Sequence, residues 1–256
     1  MSIAKKIASL KLTQGEIITT MICSVSTNLF RAPILQQSSL IHEAHMTKHL
    51  VVVAGNIGVG KTSLTERIGG RLNWWTGYES VADNPYLADF YSDMRAWAFH
   101  LQVFFLGHRA EQYLEAVCDP RSAILDRSIY EDFFIFARAL HHMGDVAERD
   151  YLAYRRLFEI VMTGLPRPNL LIYLKAPVHV LMDRIRRRAR NMEIGITPEY
   201  LTLLDSFYDD WLGAFDMCPV LTIRTDDLDF VHQQNHLETV VERIQDKLAG
   251  KEVVEF

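Results

Sequence analysis

Cysteine, basic charge and long apolar runs are all scarce in this sequence, and each shortage excludes a class of protein. The three cysteines, Cys23, Cys118 and Cys218, lie far apart in 256 residues. Neither a disulfide framework nor a zinc site is predicted from them, and a reducing compartment is expected. Lys and Arg number 27 against 32 Asp and Glu, a net charge of −5. That balance argues against nucleic acid as a partner, because sequence-independent binding needs a basic surface. No run reaches the ~18–20 apolar residues of a membrane span, so no membrane association is expected. What is present is ordinary for a globular chain: 49% hydrophobic and 23% charged residues, enough to bury a core without covalent staples.

Residues Met1–Lys48 differ from the rest. They are rich in Ser and Thr, carry only Glu16 and Glu43 as acids, and show no sustained helical or strand period. Three readings stand: a poorly ordered extension, an over-extended start with Met46 as a natural initiator, or a transit peptide. The expected location is therefore the cytoplasm, or the mitochondrion if this stretch is a transit peptide. Residues 49–256 are read as one domain.

In that domain apolar runs alternate with helical patterns. Leu50–Ala54, Ser122–Leu125, Asn169–Leu174 and Val220–Ile223 read as buried strands, with Trp75–Glu79 as a fifth. Helices are predicted at Lys61–Leu72, Leu87–Tyr91, Trp97–Val117, Tyr130–His142, Glu148–Thr163, Val178–Arg190, Pro198–Phe215 and His232–Leu248. Strands separated by helices predict an α/β fold, a five-stranded parallel sheet covered on both faces.

Gly55-Asn56-Ile57-Gly58-Val59-Gly60-Lys61-Thr62 follows the first strand and opens the first helix. It fits G-x-x-x-x-G-K-[ST] in the context that this phosphate cradle requires. Its glycines let backbone N–H groups converge on phosphate oxygens at a helix N-terminus. Lys61 is placed to reach the outer phosphates, Thr62 to hold Mg²⁺, and Ser63 continues the cradle. The motif predicts a P-loop NTPase fold with a nucleoside triphosphate as ligand, but does not name the acceptor.

After the P-loop come Glu79, Asn84-Pro85-Tyr86-Leu87, Tyr91, Phe99-x-x-Gln102, Arg109 and Asp126-Arg127-Ser128-Ile129-Tyr130-Glu131-Asp132. Singly these are ordinary: a solvated carboxylate, a core amide, an ion pair at a strand end. In this order, with the arginine-rich segment Arg184–Arg190 and the loop Asp226–Phe230, the chain resembles the deoxyribonucleoside kinase family over roughly Leu50–Leu248. Asp126 stands where many members have Glu, and here the bacterial purine-nucleoside branch looks more similar.

The resemblance implies ATP-dependent 5′-phosphorylation of a deoxyribonucleoside in nucleotide salvage. Glu79 would accept the 5′-hydroxyl proton, and Arg127 and Lys61 would offset transition-state charge. Thr62 and Asp126 would hold Mg²⁺. Arg184, Arg188 and Arg190 of an arginine-rich lid would bind phosphate, with Asp227, Asp229 and Phe230 beside the donor. Tyr91 and Glu193 would hold the 3′-hydroxyl, Gln102 would read a base edge, and Arg109 with Asp132 would discriminate among bases. An ionised Asp132 accepts from an exocyclic amine and repels the thymine carbonyl, which points to purine deoxynucleosides or deoxycytidine; the likeness of Asp126–Asp132 to the bacterial purine branch then implies deoxyadenosine first and deoxyguanosine next. A homodimer through helices near Trp97–Val117 and Tyr130–His142 is also implied. Two other readings remain open: a nucleoside monophosphate kinase of the thymidylate kinase type, and a non-catalytic structural subunit derived from a kinase.

Overall fold

In the computed structural model the described residues are 48–78, 84–190, 193, 195–226, 228–230 and 233–250. Chain order is β1 (Leu50–Gly55), α1 (Lys61–Leu72), β2 (Trp75–Gly77), α2 (Leu87–Ser92), α3 (Met94–Cys118), β3 (Ala123–Asp126) and α4 (Ile129–Glu131). A π-helical segment (Asp132–Ala137) leads into α5 (Arg138–Met143), α6 (Glu148–Thr163), β4 (Leu170–Lys175), α7 (Val178–Arg188), α8 (Pro198–Gly213), β5 (Val220–Arg224) and α9 (Gln234–Leu248).

The five strands pair in parallel in the order β2-β3-β1-β4-β5, as the alternating pattern predicts. Side chains alternate faces along a strand, so the all-apolar β1 serves two cores. Leu50, Val52 and Ala54 join Tyr113, Tyr130, Tyr154, Phe158 and Tyr208 on one face. Val51 and Val53 meet Leu64, Ile68, Leu181, Ile185, Val240 and Ile244 on the other. The central strand therefore ends, at Gly55, between two packed layers, and the P-loop leaves from that edge.

Three boundaries differ from expectation for identifiable reasons. The helix predicted from Trp97 starts at Met94, because the Asp93 side chain accepts from the Ala96 N–H and caps it. The helix predicted to Arg190 stops at Arg188, where Ala189 turns left-handed at φ 51°. The helix predicted over Tyr130–His142 is interrupted by the π turn, whose wide pitch seats Phe133 on Phe158 (4.7 Å) and Phe134 on Trp211 (6.2 Å). Cys218 is a free thiol that burial pushes up to about 11, unsuited to act as a nucleophile. No helix among the described residues is long and apolar enough to cross a membrane.

Candidate active site

The P-loop is held by glycines where no side chain fits. Gly55 has φ +144°, and a Cβ there would sit 2.5 Å from the Leu174 carbonyl oxygen. Gly58 has φ +82°, and its Cβ would meet Ile185 at 2.9 Å. The loop thus runs close over β4 and α7 before α1 begins. Lys61 is buried and its Nζ donates to the Gly55 carbonyl (2.6 Å) and the Asn56 carbonyl (3.0 Å), so the ammonium lies across the loop's mouth. The Asn56 amide donates to the Leu201 carbonyl (2.9 Å) and to Asp205 (2.6 Å), which ties the loop to α8. Ile57 packs between the two cores.

At the end of β3, Asp126 is buried and its Oδ2 accepts from the Thr62 hydroxyl at 2.6 Å. This contact joins the two residues expected to hold a metal, and a hydroxyl beside a carboxylate is a hard oxygen pair that suits Mg²⁺. Arg127 follows with φ +76°, a left-handed backbone that costs a non-glycine residue free energy. Its N–H donates to the Val53 carbonyl (3.0 Å), and its guanidinium lies 4.5 Å from the centre of the Phe136 ring. Ser128 caps α4: its hydroxyl accepts from the Glu131 N–H while the Glu131 carboxylate accepts from the Ser128 N–H.

Behind this turn lies a buried polar set. Arg109 and Asp132 pair at 2.5 Å, each only 3% exposed. Arg109 also donates to the Asp126 carbonyl (3.5 Å) and lies 5.6 Å from the Phe105 ring. Gln102 is buried two turns before Arg109 on α3, and its amide oxygen has no hydrogen-bond partner among the described residues. Such an orphaned acceptor is what a base-reading amide presents before its ligand arrives. The hydroxyl of buried Tyr154 is pushed well above its ordinary value, first by burial and then by the Asp132 charge, so it stays neutral beside the pair.

On the other side of the P-loop a cleft of about 570 Å³ is lined by Gly58–Gly60, Ser63, Arg184, Arg187, Arg188 and the segment around Asp229 and Phe230. Arg184 lines this cleft and is also held within the protein. Its guanidinium donates to the Val59 carbonyl (3.2 Å) and the Thr225 hydroxyl (2.8 Å), and also to the Thr225 carbonyl. It is a strut between the P-loop and the loop after β5. Burial, then the neighbouring Arg187, lowers its pKa from the ordinary guanidinium value. Arg187 also lines the cleft. Arg188 grips Glu193 through two hydrogen bonds, at 2.5 and 3.0 Å, and Arg190 lies 3.9 Å from the same carboxylate. Glu193 is thus bound by Arg188 and Arg190, whereas Tyr91, its expected companion at the sugar, is 43% exposed and packs edge-on against Phe90. Glu79 and Asp227 lie outside the described residues.

Sequence reasoning missed four positions that the structure places against the site: Glu131, Phe136, Tyr208 and Thr225. Glu131 carried a signal, since Ser-x-x-Glu before an apolar run is a capping box. Tyr208 and Thr225 touch the site across long sequence separations, and no local pattern marks them or Phe136, whose place under Arg127 follows from the π turn.

The profile of the deoxynucleoside kinase family matches residues 51–249. A deoxyadenosine/deoxycytidine kinase of Bacillus subtilis (strain 168) is 38% identical over 205 residues, spanning 79% of this chain and 94% of that protein. A deoxyguanosine kinase of Lactobacillus johnsonii is 34% identical over 216 residues, spanning 81% of this chain and 95% of that protein. A structure of deoxyadenosine kinase from M. mycoides with bound dATP has a TM-score of 0.67 at 24% identity, covering 77% of this chain and 99% of that one. This last likeness concerns the fold alone.

Proposed function

Because the chain belongs to the deoxynucleoside kinase family, we propose that it transfers the γ-phosphoryl group of ATP to the 5′-hydroxyl of a purine deoxynucleoside, deoxyadenosine foremost. Deoxyguanosine follows, and deoxycytidine is an acceptable third substrate. The observation that carries this reading is the buried trio Gln102, Arg109 and Asp132 lying directly behind the Asp126–Arg127 turn that touches the P-loop. A monophosphate acceptor would call for basic groups around a second phosphate, whereas this trio offers a neutral amide and a closed ion pair.

Phosphoryl transfer needs little covalent help from a protein, so the roles are positioning and charge neutralisation. Lys61 and the P-loop N–H groups would cradle the outer phosphates, with Arg188 and Arg190 closing from the lid side. Mg²⁺, held by Thr62 and Asp126, supplies further neutralisation of the triphosphate when bound. Arg127 would offset charge between donor and acceptor. Glu79 remains the proposed base for the 5′-hydroxyl, and Tyr91 with Glu193 the proposed 3′-hydroxyl contacts. Asp229 and Phe230 would border the donor, with Asp227 proposed beside them. In the base site, a ligand that leaves Gln102 or Asp132 unpaired forfeits roughly 1–3 kcal/mol per group.

The test is ATP-dependent phosphorylation of deoxyadenosine, deoxyguanosine, deoxycytidine and thymidine, compared by kcat/KM, with Lys61→Ala as control. Deoxyadenosine should lead, thymidine should trail by at least about ten-fold, and the control should lose nearly all turnover. A thymidine preference would keep the kinase and discard this base site. Equal silence of wild type and control on all four would discard the kinase.

A further inference from the structure

Glu131 is a fully buried carboxylate to which no catalytic role falls in the reading above, yet it holds both halves of the phosphate-transfer machinery at once. One oxygen, Oε1, accepts from the Gly55 N–H (3.1 Å) and from the Tyr208 hydroxyl (2.5 Å). The other, Oε2, accepts from the Ser128 N–H at 2.7 Å. Gly55 opens the P-loop, and its carbonyl receives Lys61 Nζ and lies 2.8 Å from the Tyr208 hydroxyl. Ser128 closes the turn that carries Asp126 and Arg127. We propose that Glu131 is a positioning residue that locks the P-loop and the Asp126–Arg127–Ser128 turn into one rigid frame, with Tyr208 holding its carboxylate in place.

The backbone of Arg127 gives the lock its purpose. At φ +76° that residue occupies a region that persists only where its surroundings over-determine it. On one side its own N–H is tied to Val53 of β1. On the other, the next N–H, that of Ser128, is tied to Glu131. Without the second tie, the turn keeps its contacts to Val53, Thr62, Arg109 and Phe136 but loses its link through Glu131 to Gly55, and Arg127 and Asp126 would shift relative to Lys61. A carboxylate suits the place because both oxygens face donors and charge-assisted hydrogen bonds are short and strong. A glutamine would turn its own N–H₂ toward one of the backbone N–H groups. A simple helix cap would need only the Ser128 contact; the reach to Gly55 and Tyr208 is what a cap does not explain.

This inference rests on the kinase reading. The experiment compares full-length wild type, Glu131→Gln and Tyr208→Phe for kcat, the KM of ATP, the calorimetric Kd of deoxyadenosine without ATP, and Tm. For Glu131→Gln, assayed well below its Tm, kcat should fall by about ten-fold or more and the KM of ATP should rise, with the deoxyadenosine Kd within about two-fold of wild type. Tyr208→Phe should give a milder loss with the same split. A merely structural carboxylate would lower Tm and leave kcat of the folded protein untouched, and that result overturns the proposal. If Glu131→Gln does not fold, Tyr208→Phe decides: wild-type kcat and KM overturn the proposal, and a several-fold kcat loss at unchanged deoxyadenosine Kd supports it. A wild type inert toward every deoxynucleoside overturns the kinase reading and this inference with it; an active wild type matched by both variants overturns this inference alone.

Discussion

Arg109 and Asp132 must be changed together, because each is only 3% exposed and each is the other's counter-charge. Removing one partner of a buried pair leaves an uncompensated charge and costs about 3–5 kcal/mol, enough to confuse a specificity assay with partial unfolding. Replacing both with apolar residues is close to neutral by the same reasoning. We therefore expect Arg109→Met with Asp132→Ala to stay folded and to raise thymidine kcat/KM relative to deoxyadenosine by about ten-fold. Unchanged rejection of thymidine, with an unchanged Tm, would place discrimination elsewhere in the pocket. The pair was legible in the sequence only through the family resemblance, since its members are 23 residues apart on separate helices. Lys61 and Thr62 were legible from the motif, because a backbone phosphate cradle demands fixed residue types at fixed spacing. The contacts of Arg184 within the protein were not legible, because its acceptors, Val59 and Thr225, lie 125 and 41 residues away.

At the scale of elements, β1 and α1 were readable because a fully apolar strand followed by a glycine turn admits few alternatives. Periodicity could not show the π turn at Asp132–Ala137, since hydrophobic spacing does not separate a widened turn from an ordinary one over six residues. Yet that turn aims Asp132 at Arg109 while seating Phe133 and Phe134 in the core. Packing of α1 on β2 also sets a limit that local propensity would get wrong. Gly69 lies inside α1, where alanine is favoured by about 1 kcal/mol. A Cβ there would come within 2.1 Å of Thr76 Cγ2 on β2, however, and overpacking of this kind costs about 1–3 kcal/mol. The close approach wins, so Gly69→Ala should lower Tm by several degrees in a thermal melt. Adding Thr76→Ser, which deletes that methyl group, should recover most of the loss; a stabilising Gly69→Ala would show that the helix can shift away from the strand.

For the whole molecule, the resemblance implied a homodimer built on the helices near Trp97–Val117 and Tyr130–His142. The second of these lies largely inside the protein: Tyr130, Phe133, Ile135, Ala137, Ala139 and Leu140 are all buried. Three of the seven exposed large apolar side chains among the described residues lie on α6, Leu152 (49% exposed), Leu157 (42%) and Ile160 (65%), on a helix that packs against α3. An apolar sector left facing water on an amphipathic helix is the ordinary mark of a covered face. The proposed dimer seam is thus α3 with α6, and Leu157→Glu with Ile160→Lys should halve the mass seen by light scattering, from twice 29.5 kDa to 29.5 kDa. Both positions are exposed, so the monomer should keep its helical circular dichroism. Gln102, Arg109 and the P-loop belong to one chain, and the monomer should therefore keep measurable turnover. A wild type that already runs as a monomer, or a double variant that still dimerises, would remove α6 from the seam.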